Sequence, residues 1–227
     1  LDPANPRWPG RDKFLLGKGH IGVGLWPILA DLGYFPAAWL DDFGKMDAPL
    51  TDHPSMREVP GVDFSSGALG HNLSVGVGMC LASRFRGGDD RTFVLLGDGE
   101  LHEGQVWEAA MSAAHYRLGN LVAIVDANGT SADGPTSDVM NIEPVRGRFE
   151  AFGWRAVEID GHDVPRIVAT LDALPDARTD VPTVIVARTV KGKGVSFMET
   201  SPREWHLGFL GPDDRQRAEN EIRSRMT

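Results

Sequence analysis

The stretch Thr92-Phe93-Val94-Leu95-Leu96-Gly97-Asp98-Gly99-Glu100, followed later by Leu121-Val122-Ala123-Ile124-Val125-Asp126-Ala127-Asn128-Gly129, decides the fold. Each segment opens with an apolar run of strand length, and each run stops at a turn rich in Gly, Asp and Asn. Between them, residues 105–118 carry Val106, Ala109, Ala110, Ala113 and Ala114 at helical spacing. Together they make one βαβ unit, which sets its two strands parallel and brings both turns to one edge of the sheet. Working outward, residues 154–159 and 182–187 are two further apolar runs, and the amphipathic residues 164–174 lie between them. Continued strand-helix alternation gives an α/β fold: a doubly wound, mostly parallel sheet with helices on both faces.

Upstream, residues 68–85 have helix length and are full of Gly, Ala, Val and Ser, small residues that allow close packing on a sheet. Cys80 in that segment reads as a buried apolar filler. Residues 14–70 are rich in Gly, Pro and Trp and read as loops, with one helical piece at 21–32. The charged residues 212–225 read as an exposed helix or a frayed end. The whole, residues 1–227, reads as one domain.

Composition narrows the function classes. With 41% hydrophobic and 24% charged residues the chain is neither disordered nor fibrous. A net charge of −9 without a basic run argues against a nucleic-acid partner. Cys80 is the only cysteine, which excludes an internal disulfide and a cysteine-rich zinc site and fits a cytoplasmic protein. The apolar runs are strand-sized and the N-terminus lacks basic and apolar export segments, so neither membrane insertion nor export is expected.

In open parallel sheets ligands bind beyond the carboxyl ends of the strands, where Asp98 and Asn128 both fall. A carboxylate and an amide oxygen suit Mg²⁺, which prefers oxygen and completes its octahedron with phosphate and water. The flanking glycines let backbone N–H groups approach phosphate, and a helix starting near His102 would turn its positive end toward it. For either residue alone, a helix cap or a turn is the better reading; the pair at consecutive strand ends points to a metal and a diphosphate.

Gly97-Asp98-Gly99-Glu100, Glu103-Gly104, Glu108-Ala109 and Asp126-Ala127-Asn128 together resemble the thiamine diphosphate signature in its transketolase form. Arg11-Asp12-Lys13-Phe14, Gly19-His20, His53-Pro54, Pro60-Gly61-Val62, Gly67-Ala68-Leu69-Gly70, Thr189-Val190-Lys191-Gly192-Lys193-Gly194 and Trp205-His206 resemble that family in the same order. The resemblance implies that Asp98, Asn128 and the Thr130 carbonyl bind Mg²⁺. It implies that His20, Gly97, Gly99, Asn128, Lys191 and His206 contact the cofactor, with Gly67 and Leu69 on its aminopyrimidine side. His53 and His206 would face the donor substrate, and Glu103 would lie near the interface between two active sites. Without that resemblance, His20 and His206 read as packed histidines and Lys191 and Lys193 as solvated lysines. His115 and His162 read as surface or packing residues.

His71-Asn72 departs from the Gln-Gly usual in the family, close to the expected cofactor ring, which implies a diverged substrate preference. The family's N-terminal segment with a substrate histidine, and its pyrimidine-binding domain with the glutamate that acts on the aminopyrimidine, have no counterpart in residues 1–227. The expectation is therefore a split enzyme, an α2β2 heterotetramer in which an N-terminal transketolase-like subunit works with a separate C-terminal, pyrimidine-binding subunit. The rival readings are the α subunit of a 2-oxo acid dehydrogenase and a non-catalytic scaffold that binds a partner.

Overall fold

The computed structural model describes residues 2–225, so Leu1, Met226 and Thr227 of the expected 1–227 domain lie outside the described residues. Its centre is a sheet of five strands, β1 (Lys13–Leu16), β2 (Thr92–Gly97), β3 (Leu121–Ala127), β4 (Arg155–Asp160) and β5 (Thr183–Arg188). Their order is β1-β2-β3-β5-β4, and every pair is parallel. The helices are α1 (Gly22–Asp31), α2 (His71–Phe85), α3 (Gly104–His115), α4 (Thr136–Val139), α5 (Val145–Ala151), α6 (Val164–Asp172), α7 (Ser196–Thr200) and α8 (Pro212–Ser224).

The apolar runs of β3 and β5 are continuous because both faces of the sheet are covered. Alternation then sorts their side chains. Leu121, Ala123, Val125, Val184 and Val186 join Val94 and Leu96 in a core with α2, α3 and α5. Val122, Ile185, Ala187 and Ile159 face the other way, against Ile167 and Leu171 of α6. Helices on both faces, as the sequence predicts, follow from β4 lying beyond β5: the chain skips outward to β4 and returns, which puts α6 on the opposite side. The small residues of α2 serve close packing. A Cβ on Gly76 would lie 2.8 Å from a Val94 methyl carbon, and Cys80 is fully buried, its thiol pushed up to about 11 by that burial.

The region read as loops holds two surprises. β1 is a four-residue strand inside it, defined by its ladder to residues 92–95 rather than by its own pattern. A separate cluster of Trp26, Leu29, Tyr34, Phe35, Leu50 and Val59 holds the irregular chain around α1, with the Trp26 indole N–H donating to the Thr51 carbonyl at 3.1 Å. Elsewhere the differences are at boundaries. The helix read at 68–85 starts at His71, because Gly70 turns the chain with φ of +80°. The helix placed near His102 is a 3-10 turn at Gly99–His102, and α3 proper starts at Gly104. Among the described residues no helix is long and apolar enough to cross a membrane.

Candidate functional site

Four neighbouring strands each release a chemically active side chain past their carboxyl ends. β1 is followed by Lys18 and His20, β2 by Asp98, β3 by Asn128, and β5 by Lys191. Parallel registers pairing Gly97 with Asp126 and Asp126 with Ala187 set these exits side by side.

Asp98 is 5% exposed and caps the 3-10 turn. One carboxylate oxygen accepts from the Gly99 N–H at 2.9 Å and the other from the Gly129 N–H at 2.6 Å, joining the exits of β2 and β3. Burial pushes its pKa up and the two N–H groups oppose the rise; the Asp126 charge adds to it and Lys18 opposes it. The Asn128 amide oxygen accepts from the Thr130 N–H at 3.0 Å. Backbone bonds from Thr136 to Gly129 and from Ser131 to Gly134 fold this loop back on itself, and the Thr130 carbonyl accepts neither of them. A carboxylate, an amide oxygen and a carbonyl on one turn fit a hard cation such as Mg²⁺. Among the described residues no group of three or more His, Cys, Asp or Glu could hold a metal, so the other ligands would come from phosphate and water.

Around the carboxylates stands a basic cluster. Lys18 is ion-paired to Asp126, which also accepts from the Thr189 hydroxyl and, at 3.1 Å, from the Asn128 amide. Burial works to raise the Asp126 pKa, yet Lys18 and these hydrogen bonds leave it lowered. Lys191 makes no ion pair among the described residues and is half-buried; that burial, then the Lys18 charge, lowers its pKa. The rings of His20 and His206 lie 5.8 Å apart. Burial lowers both, and the charges of Lys18 and Lys191 lower them further. The buried Nδ1 of His206 has no partner. Basic groups that depress one another, one with an unmatched polar atom, fit an anion between them. A cleft of about 460 Å³ lined by Lys18, Asp126, Asn128, Thr189 and Lys191 opens beside them.

The remaining residues expected from the sequence flank this centre. His53 is exposed, and its Cδ2 lies 3.8 Å from where a Gly67 Cβ would stand. Leu69 is half-buried, and its carbonyl lies 3.0 Å from Nδ1 of His71. Glu103 is exposed at the start of α3, and its Cβ packs against Gly70. Asn72 is 1% exposed and donates to the Leu16 carbonyl at 2.6 Å and the Ser66 hydroxyl at 2.8 Å, so it ties β1 to α2 inside the fold. Of the His71-Asn72 pair only His71 is exposed.

Several working residues escape a reading from the sequence. Lys18 has one signal, a lysine between two glycines two positions before His20. Asp126 and Glu100 sit within the diphosphate motif, yet only the folded chain shows what each touches. His162 is exposed, but its Nε2 accepts the Val190 N–H at 2.8 Å, next to Lys191. His115 stacks edge-on against Tyr116, in keeping with a packing role.

The family described as transketolase, thiamine diphosphate binding domain, matches residues 1–222. One of the two subunits of an apulose-4-phosphate transketolase from Phocaeicola vulgatus is 39% identical over 99% of this chain and 79% of its own length. A 6-deoxy-6-sulfo-D-fructose transketolase subunit from Clostridium sp. is 41% identical over 88% of this chain and 72% of its own. Human transketolase is 38% identical over 89% of this chain, which spans 32% of that protein. A transketolase structure from Pichia stipitis superposes with a TM-score of 0.82 at 28% identity, covering 100% of this chain and 38% of that one.

Proposed function

The chain belongs to the transketolase family through its thiamine diphosphate-binding domain, and on that premise we propose that it is one subunit of a thiamine diphosphate- and Mg²⁺-dependent transferase. The reaction is transfer of a two-carbon ketol unit, or related acyloin chemistry, from a ketose or keto acid donor to an aldehyde acceptor. The observation that carries this reading is the convergence of Lys191, His20 and His206, none of them paired to a carboxylate among the described residues, beside the Asp98–Asn128 turn. Such a set takes an anion on one side and a hard cation on the other, which is the chemistry of a magnesium diphosphate.

In this reading Asp98, Asn128 and the Thr130 carbonyl hold Mg²⁺. His20, Gly97, Gly99, Asn128, Lys191 and His206 hold the cofactor, with Lys18 adding charge through its place on Asp126. Gly67 and Leu69 line the pyrimidine side, His53 and His206 face the donor, and Glu103 stands at the edge toward a second active site. When bound, thiamine diphosphate supplies the nucleophilic carbon and the electron sink for ketol transfer. The protein's part is to anchor and orient it. His206 and His20, kept neutral by burial and neighbouring cations, can donate or accept a hydrogen bond at the donor's hydroxyl groups.

The relatives matched over most of their own length carry subunit names, which supports a second chain that contributes the pyrimidine-binding half of the site in an α2β2 assembly. A cytoplasmic setting accompanies the reading. The test is calorimetric titration of the chain with thiamine diphosphate, with and without Mg²⁺, alone and with the product of the neighbouring reading frame, followed by a ketol-transfer assay. Mg²⁺-dependent binding and turnover on mixing are expected. A mixture that binds no cofactor overturns the reading, and full turnover by the chain alone overturns its two-chain part.

A further inference from the structure

Glu100 is 3% exposed, among the most buried carboxyl groups of the fold. Its two oxygens serve two different segments: one accepts the Gly70 N–H at 2.9 Å, the other the Gly97 N–H at 3.1 Å. Gly70 stands at the entry to α2, in a left-handed conformation and with no side-chain cap of its own. Gly97 is the last residue of β2, directly before Asp98. The exit of β1 closes on the same group, since a Cβ on Gly17 would lie 2.6 Å from a Glu100 oxygen. An apolar side chain would fill this space without the cost of burying a charge, so packing alone does not account for a carboxylate here.

We propose that Glu100 is a positioning residue that locks the turn at residues 67–70 to the turn at residues 97–99, holding the pyrimidine side of the cofactor site at a fixed separation from its metal and diphosphate side. The proposal rests on the cofactor reading above for what the two turns hold. Its geometric part stands without a ligand: residues 70 and 97 are distant in sequence, and one carboxylate is the group that both backbone N–H donors share.

Two variants test it in the full chain. Glu100→Ala removes both acceptors. Glu100→Gln keeps the shape but carries one carbonyl oxygen, so at least one of the two N–H groups must lose its partner. Hydrogen exchange without any cofactor should show faster exchange at both the Gly70 and Gly97 amides in Glu100→Ala, and at one or both in Glu100→Gln, which also serves if the alanine variant does not fold. Calorimetry with Mg²⁺ and either thiamine diphosphate or inorganic diphosphate supplies a readout that loss of packing alone would not move. For Glu100→Gln the dissociation constant for thiamine diphosphate should rise about tenfold, the scale of a lost hydrogen bond to a charged group, and that for inorganic diphosphate by no more than about threefold. Equal weakening of both ligands, or wild-type exchange at both amides in the variants, overturns the proposal. A wild-type chain that binds neither ligand, even with its partner, overturns the cofactor reading instead, and amide exchange still decides whether Glu100 couples the turns.

Discussion

Two regions meet in the site, and they are built by opposite means. Residues 97–130 form a self-satisfied frame: Asp98 is tied to two backbone N–H groups, Asn128 to Thr130 and Asp126, and Asp126 to Lys18. Residues 189–206 hold groups without partners: Lys191 has no ion pair among the described residues and the buried Nδ1 of His206 has no hydrogen bond. The frame is stable without a ligand because its charges already cancel. The facing segment carries basic groups whose pKa values are lowered by burial and by one another, a state that an anion would relieve. Substitutions in the frame should therefore cost structure as well as binding, whereas substitutions in the facing segment should cost binding alone.

The largest effect is expected at Asp98. Asp98→Asn replaces an anionic ligand by a neutral one and sets an amide NH₂ against the Gly99 or Gly129 N–H. Thiamine diphosphate affinity at limiting Mg²⁺ should fall about 100-fold, with partial recovery in excess Mg²⁺. Unchanged affinity in a low-Mg²⁺ titration would remove Asp98 from the metal site.

The contrast is sharpest between the two lysines. Lys18→Met strips Asp126 of its cation and should lower unfolding stability by about 2 kcal/mol, along with some cofactor affinity. Lys191→Met removes a half-buried ammonium that has no carboxylate, so its melting temperature should hold or rise while cofactor affinity falls about tenfold. Melts and titrations of the two variants side by side would dissolve the distinction if both lost stability equally.

That asymmetry also explains what the sequence made legible. Asp98 and Asn128 lie at the ends of consecutive strands with strong apolar runs, so periodicity alone sets them together. The doubly wound sheet follows from the same runs. β1 has only four residues and takes its conformation from its ladder with β2, so no local pattern marks it, and Lys18 beyond it goes unread. Glu100 is visible in the motif, but its partner Gly70 depends on how α2 enters the sheet. Lys191 and His206 come from family resemblance alone, because loop residues that approach a site across the fold leave no spacing to read. The pair His71-Asn72 shows the converse: adjacent in sequence, one faces out and the other holds β1 to α2.

A smaller effect should appear in pH dependence. His20 and His206 have folded pKa values below the ordinary 6.5, so near that value the unfolded chain binds more protons than the folded one. Their neutral state is matched in both forms above 6.5, and the ligand-free protein should lose stability as pH falls through 6.5 toward the lowered folded values. A bound diphosphate would favour the imidazolium forms, so thiamine diphosphate with Mg²⁺ should flatten the slope and take up protons on binding. Melts between about pH 8 and about pH 5.5, repeated on a His20→Gln, His206→Gln double variant, check the sign. An identical slope in the double variant would assign the loss to other groups.

The smallest effect is expected at His162, and it probes how the facing segment is held. The Nε2 of His162 accepts the Val190 N–H at 2.8 Å, so that nitrogen carries no proton and the ring is neutral with its hydrogen on Nδ1. Val190 immediately precedes Lys191, and the bond is exposed, a setting in which a neutral hydrogen bond contributes about 1 kcal/mol or less. His162→Ala should therefore weaken thiamine diphosphate binding by no more than about fivefold and leave the melting temperature unchanged. His162→Gln, whose side-chain carbonyl can reach the same N–H, should restore most of the affinity. Because the bond acts through Lys191, the loss should vanish when His162→Ala is made in the Lys191→Met background, where the ammonium it steadies is gone. Full additivity of the two substitutions in that cycle would show that His162 does not act by placing Lys191.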